Sequence, residues 1–215
     1  MSSIVLFLLL GALSACAPEK TADVPEIVVS GALRGRTGAF LTVGDAASRV
    51  SVVMATLPGL LFRVSAPAGS GLRPWASTGG DGHVRVELQS TDQDGPDEVR
   101  IVLNRDVRWD IRLPAGAGEE QLDLRRGRVA RIDLGAAGLV ELRLPRPRGT
   151  VPVTLLDDAG SLLLSVDPAT ALRFRSAQRV VQTPGWVTAA DRYAVYARGN
   201  VELTIQGPPT GPEAR

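Results

Sequence analysis

Seven short triplets decide how this chain folds: Ile111-Arg112-Leu113, Leu122-Asp123-Leu124, Ile132-Asp133-Leu134, Leu142-Arg143-Leu144, Val151-Pro152-Val153, Leu162-Leu163-Leu164 and Leu172-Arg173-Phe174. Their first residues are separated by 11, 10, 10, 9, 11 and 10 positions. Inside each triplet the outer residues are apolar, which is the period-two pattern of a strand with one buried face. Turn formers lie between them: Pro114-Ala115-Gly116, Arg125-Arg126-Gly127, Gly135-Ala136-Ala137-Gly138 and Asp157-Asp158-Ala159-Gly160.

Short strands at near-constant spacing have two physical solutions. One is a β-solenoid, in which each strand stacks on its equivalent in the next coil. The other is an antiparallel β-sandwich or barrel. The narrow spacing, the aliphatic inner positions and the Gly/Ala corners favour the all-β solenoid, with the sandwich or barrel as the alternative. Earlier segments keep a looser rhythm: Ala39-Leu41-Val43, Val50-Val52, Leu61-Val64, Val84-Val86-Leu88, Val99-Ile101-Leu103 and Val107-Trp109. No stretch sustains a 3.6-residue apolar period for three turns without Gly or Pro, so no helix is expected.

Outside this region the chain reads differently. Residues 1–15 carry no charge, and residues 4–13 form a ten-residue apolar run. That run suits a signal-peptide core and is short of the ~20 residues of a spanning helix. It ends in Leu13-Ser14-Ala15-Cys16, with small residues before the only cysteine. This resembles the lipobox of bacterial lipoproteins, in which the cysteine is acylated and cleavage occurs just before it. The resemblance implies that Leu13, Ser14 and Ala15 are read by a signal peptidase and that Cys16 becomes a lipidated N-terminus, an extracytoplasmic membrane anchor. Met1-Ser2-Ser3 lacks the usual positive charge of such a leader. The expected organisation is a lipoprotein signal peptide over 1–15, the lipidated cysteine and a tether over 16–30, one β-rich domain over 31–206, and a disordered Pro/Gly tail over 207–215.

Composition narrows the function. The chain has 215 residues, 44% hydrophobic and 4% aromatic, with 24 Lys plus Arg against 23 Asp plus Glu. The apolar content excludes a disordered protein. One Cys and one His cannot build an internal disulfide or a Cys/His metal cage. The near-zero net charge gives no electrostatic case for nucleic acid. Nothing in the sequence asks for a cofactor.

Three runs carry a further resemblance. They are Val107-Arg108-Trp109-Asp110-Ile111-Arg112-Leu113, Leu142-Arg143-Leu144-Pro145-Arg146-Pro147-Arg148-Gly149-Thr150-Val151-Pro152-Val153, and the closing Thr183-Pro184-Gly185-Trp186, Asp191-Arg192-Tyr193 and Val201-Glu202-Leu203-Thr204-Ile205. Together they resemble uncharacterised envelope proteins of high-GC Gram-positive bacteria, distantly similar to the putative-adhesin and cell-wall-stress-response β-domains. The resemblance covers most of residues 30–206. It implies a β fold and an envelope location, and it carries no active site.

Candidate chemistry is sparse. His83, the sole histidine, follows Gly79-Gly80-Asp81-Gly82, and no Gly-x-Ser-x-Gly elbow accompanies it. It reads as a solvated turn residue. Thr91-Asp92-Gln93-Asp94-Gly95-Pro96-Asp97-Glu98 gathers four carboxylates; Asp92 and Asp94 are a weak calcium candidate, but the distal Glu of a calcium loop is missing. Between residues 125 and 148 there are seven Arg against Asp133 and Glu141, while residues 81–123 hold eleven Asp/Glu to five Arg. Arg125, Arg126, Arg128 and Arg131, with Arg143, Arg146 and Arg148 further on, are the anion-binding candidates, unless adjacent coils pair opposite charges. Trp75 follows Pro74 and is the candidate for an exposed aromatic contact; Trp109, Trp186, Tyr193 and Tyr196 read as packing residues. The expected function is a non-catalytic binding or scaffolding module at the membrane, its partner a cell-wall polymer or an envelope protein. The alternative is an envelope polysaccharide- or peptide-processing enzyme using carboxylates such as Asp92, Asp94 or Asp97.

Overall fold

The computed structural model describes residues 25–167, 170–176, 192–197 and 201–206, so the leader, the lipobox with Cys16, Trp186 and the Pro/Gly tail lie outside the described residues. The described residues form sixteen strands: β1 (Glu26–Ala32), β2 (Gly38–Val43), β3 (Ala47–Ala55), β4 (Leu60–Pro67), β5 (Leu72–Thr78), β6 (His83–Ser90), β7 (Glu98–Asn104) and β8 (Arg108–Leu113), then β9 (Ala117–Asp123), β10 (Arg128–Leu134), β11 (Ala137–Arg143), β12 (Thr150–Leu155), β13 (Ala159–Ser165), β14 (Ala171–Ser176), β15 (Arg192–Ala197) and β16 (Val201–Gln206). No helix occurs among them. Within the stretch 16–30, the residues of β1 from Glu26 on pair antiparallel with β4.

The strands form two eight-stranded mixed sheets. One runs β1-β4-β7-β3-β9-β11-β13-β15 and the other β14-β16-β12-β10-β8-β2-β6-β5. From β8 to β14 the chain alternates strictly between them. Five central strands of each sheet are parallel, β7-β3-β9-β11-β13 and β12-β10-β8-β2-β6. The flanking pairs are antiparallel, as in a sandwich. The ten-residue rhythm is thus half of the structural repeat: Leu122 pairs with Leu142 and Leu142 with Leu164, and across the other sheet Ile111 pairs with Ile132 and Ile132 with Val153. The stacking order also departs from chain order, since β2 lies between β6 and β8 and β3 between β7 and β9.

Parallel register lines up the apolar positions into ladders. One row is Ile101, Val52, Leu122, Leu142 and Leu164; the opposing sheet has Val84, Leu41, Ile111, Ile132, Val153 and Leu203. Every one of these residues is buried, and all belong to a single core between the sheets. Truncating one such leucine to alanine costs about 2–5 kcal/mol in cores of this kind. Trp109 is also fully buried, its indole N–H donating to the Asn104 carbonyl at 2.9 Å. Trp75, by contrast, is 48% exposed on β5, a strand rather than a loop.

Corners of the stack are set by glycine. Ala117-Gly118, Ala137-Gly138 and Ala159-Gly160 open β9, β11 and β13, with the three alanines in register. A Cβ on Gly138 would stand 2.8 Å from the Gly118 carbonyl oxygen, and one on Gly160 would stand 2.6 Å from that of Gly138. Side chains do not fit at this approach of backbone to backbone.

One ladder contains a misfit. In the row Val99, Val50, Glu120, Val140, Leu162 the third position is a carboxylic acid. Glu120 is fully buried and neither carboxylate oxygen has a hydrogen-bond partner. Burial alone pushes its pKa up to about 8. The folded state therefore holds a neutral carboxylic acid that the unfolded chain ionises above its ordinary value of 4.5. Stability is fully present below that value and is lost as pH rises through about 8.

Two outcomes follow from this architecture. Gly138→Ala should lower the unfolding free energy by about 1–3 kcal/mol in a denaturant titration; an unchanged midpoint would mean that the corner has room. Glu120→Val should complete the ladder, so its advantage over the wild type should widen by on the order of 5 kcal/mol between about pH 4 and pH 9. Parallel pH profiles for the two proteins would show that the carboxyl reaches water.

A candidate anion-binding site

The outward rows of the sheets carry the charges, and register decides which of them meet. Arg49 on β3 faces Glu98 on β7 and Glu119 on β9, and its guanidinium reaches both carboxylates at 2.8 Å. The Gln121 amide, and then Arg49, hold Glu119 below its usual range. Along single strands the same face recurs every second residue, so Arg112 pairs with Asp110 at 3.1 Å, Arg131 with Asp133 at 2.9 Å and Arg143 with Glu141 at 3.3 Å, while Arg125 in the turn after β9 reaches back to Asp123 at 2.6 Å. The Arg125 hydrogen bond is the main force lowering the Asp123 pKa.

Four of the arginines outside this pairing gather in one place. Arg108 opens β8 and Arg128 opens β10, directly beside it in register. Arg146 and Arg148 sit in the connection from β11 to β12, where Pro145 and Pro147 fix the backbone torsion and hold the segment extended. All four are exposed and line one cavity of about 510 Å³, with Leu144, Pro145, Pro147, Val129, Val151 and Ile205 as its apolar wall. Among the described residues none of the four has a carboxylate within ion-pair distance. The one polar contact is a long bond, 3.5 Å, from Arg128 Nη1 to the Asp106 carbonyl. Guanidinium groups stay charged at any physiological pH and present planar forks of donors that match phosphate or carboxylate oxygens. The cavity lining contains no carboxylate, histidine, serine or cysteine.

The anion candidates read from the sequence are thereby re-sorted. Arg128 lines the cavity; Arg125 and Arg131 are held by neighbouring aspartates; Arg126 is exposed in the β9–β10 turn and does not reach it. Arg108 was hidden because Asp110 stands two residues away, on the same strand face, and the structure gives that aspartate to Arg112. Arg146 and Arg148, already singled out in the basic stretch, do line the cavity, but their meeting with Arg108 has no local signal in the sequence.

Other candidates behave differently. His83 is no freely solvated turn residue: it opens β6, its Nε2 lies 2.9 Å from the Thr42 hydroxyl, and its ring meets Phe40 edge-on at 6.1 Å. The acidic segment is pinned through its backbone, as the Ser70 hydroxyl donates to the Pro96 carbonyl and the Thr91 hydroxyl to the Ser70 carbonyl, both at 2.8 Å. Asp92 and Asp94 are exposed there, and no three Asp, Glu, His or Cys side chains of the described residues converge as a metal site. A second cavity, about 530 Å³, has Asp92 as its single carboxylate. Asp123 and Glu141 do share a smaller cleft, each already paired with an arginine.

No protein-family model and no curated protein matches the chain. Among solved structures it is similar to one described as a putative cell adhesion protein from Clostridium sporogenes ATCC 15579. The two are 16% identical, with a TM-score of 0.40, over 60% of this chain and 75% of that one. A likeness at that level fixes neither ligand nor role.

Proposed function

We propose that this chain is a non-catalytic β-rich binding module of the cell envelope, held at the membrane through a lipidated Cys16, and that it grips an anionic partner in the arginine cleft. The observation that carries the binding role is the gathering of Arg108, Arg128, Arg146 and Arg148 on one cavity without compensating carboxylates. Like charges brought together in this way raise the energy of the unliganded protein, and an anion lowers it again. A wall of aliphatic and proline side chains reduces solvent screening on one side of the guanidinium groups, which strengthens that attraction. The envelope location rests on the apolar leader and the Leu13-Ser14-Ala15-Cys16 motif. Two or more acyl chains on one residue give stable anchoring, whereas one chain gives a marginal hold.

Two measurements test this reading. Metabolic labelling with a fatty-acid analogue should tag the wild-type protein and leave Cys16→Ser untagged; a tag on the variant would overturn the anchor. Tripolyphosphate, titrated calorimetrically into the purified protein, should bind the wild type at least tenfold tighter than the Arg108→Ala/Arg128→Ala double variant. Equal binding by the two would overturn the cleft as the anion site.

A further inference from the structure

The arginine cleft does not end at Arg108 and Arg128. An adjoining cavity of about 490 Å³, distinct from the one that holds Asp92, is lined by Thr37, Phe40, Asp110 and Ala130, and it shares both of those arginines with the arginine cleft. The combined groove crosses five adjacent strands of one sheet, β2, β8, β10, β12 and β16. Four strand spacings of ~4.8 Å make it about 19 Å long. Its charge is not confined to one point: Arg146 and Arg148 hold one end, Arg108 and Arg128 the middle. The other end carries Phe40, which is 44% exposed and is flanked on β6 by the His83 ring, met edge-on. Asp110, the one carboxylate in the groove, is compensated by Arg112 at 3.1 Å.

A single small anion does not span a groove of this length and leaves Phe40 unused. The groove instead matches a chain with charge repeated along its backbone and uncharged units between. From this geometry, and resting on the anion-binding reading above, we infer that the site takes an extended phosphodiester-linked polyol or sugar polymer. Successive phosphates lie on the arginine forks, and a polyol or sugar unit packs against Phe40 and the proline wall. Charge carried within the chain itself lets each guanidinium hold backbone, as when basic grooves track single-stranded nucleic acid, with apolar stacking adding to the grip.

The test uses glycerol-phosphate oligomers of one, two, four and eight units, titrated into the whole protein alongside inorganic phosphate. Affinity should rise at least tenfold from one unit to four and then level off, because the groove is filled. For the four-unit oligomer, log K against log salt should slope by roughly −3, at ~0.7 per phosphate contact for four contacts. Phe40→Ala should weaken the four-unit oligomer about threefold or more and leave inorganic phosphate unchanged. If inorganic phosphate binds as tightly as the oligomers, the polymer inference falls while the anion site stands. If no probe binds, the anion-binding reading falls with it. A polygalacturonate fragment of equal charge that binds as well as the four-unit oligomer overturns the choice of phosphodiester. Preference for phosphatidylglycerol vesicles over the free oligomers overturns the choice of a polymer over a membrane surface.

Discussion

The constraint on which everything else in this protein depends is the register of its parallel aliphatic ladders. An inward leucine in β9 packs beside the inward leucines of β11 and β13 only if all of them start their coil at the same height. A slip by one residue would turn each apolar row to water. The Ala-Gly pairs that open these strands set that height, since the carbonyl of one coil occupies the place of a Cβ in the next. Once the inner rows are aligned, the outer rows have no freedom left. Arg49 stands between Glu98 and Glu119, and Arg108 beside Arg128, because Val50 must stand between Val99 and Glu120's row and Ile111 beside Ile132.

Glu120 shows how strong that alignment is. Its neighbours in register are Val50 and Val140, its oxygens are unpartnered, and its only escape from the cost of a buried charge is to keep its proton. Adjacent Glu119 pairs with Arg49 on the outer face, so rotating the strand to expose Glu120 would bury Glu119 instead. Two consecutive glutamates on a strand must place one on each face. The ladder is therefore kept at the expense of one protonated side chain.

The triplets made strands, their spacing and the absence of helix legible, because alternation is a local property of a few residues. The division of the strands between two sheets was not legible: strands of both carry the same alternation, and nothing in Leu122-Asp123-Leu124 distinguishes its sheet from that of Ile132-Asp133-Leu134. A twenty-residue repeat was present in Ala117-Gly118, Ala137-Gly138 and Ala159-Gly160, where backbone crowding rather than hydrophobicity dictates the residue. The insertion of β2 and β3 between later strands is a long-range pairing with no local signature. The site was half legible. Its basic stretch stood out, but ion pairs along and across strands removed Arg125 and Arg131 and released Arg108, and those pairs follow from register.

Register also accounts for why the cleft lies where it does. At Arg112, Arg125, Arg131 and Arg143 a carboxylate two residues away neutralises the arginine. At the openings of β8 and β10 register places arginine beside arginine, and the proline-braced connection to β12 adds two more to the same wall. Such crowding gives the fold nothing: exposed like charges in adjacent strands are weakly destabilising, and the aliphatic wall would pack equally well beneath neutral side chains. Departures from local consistency of this sort concentrate at sites that bind. A fold that gathers four cations on one cavity with no carboxylate among its lining has, in physical terms, left the compensating anion to come from outside the chain.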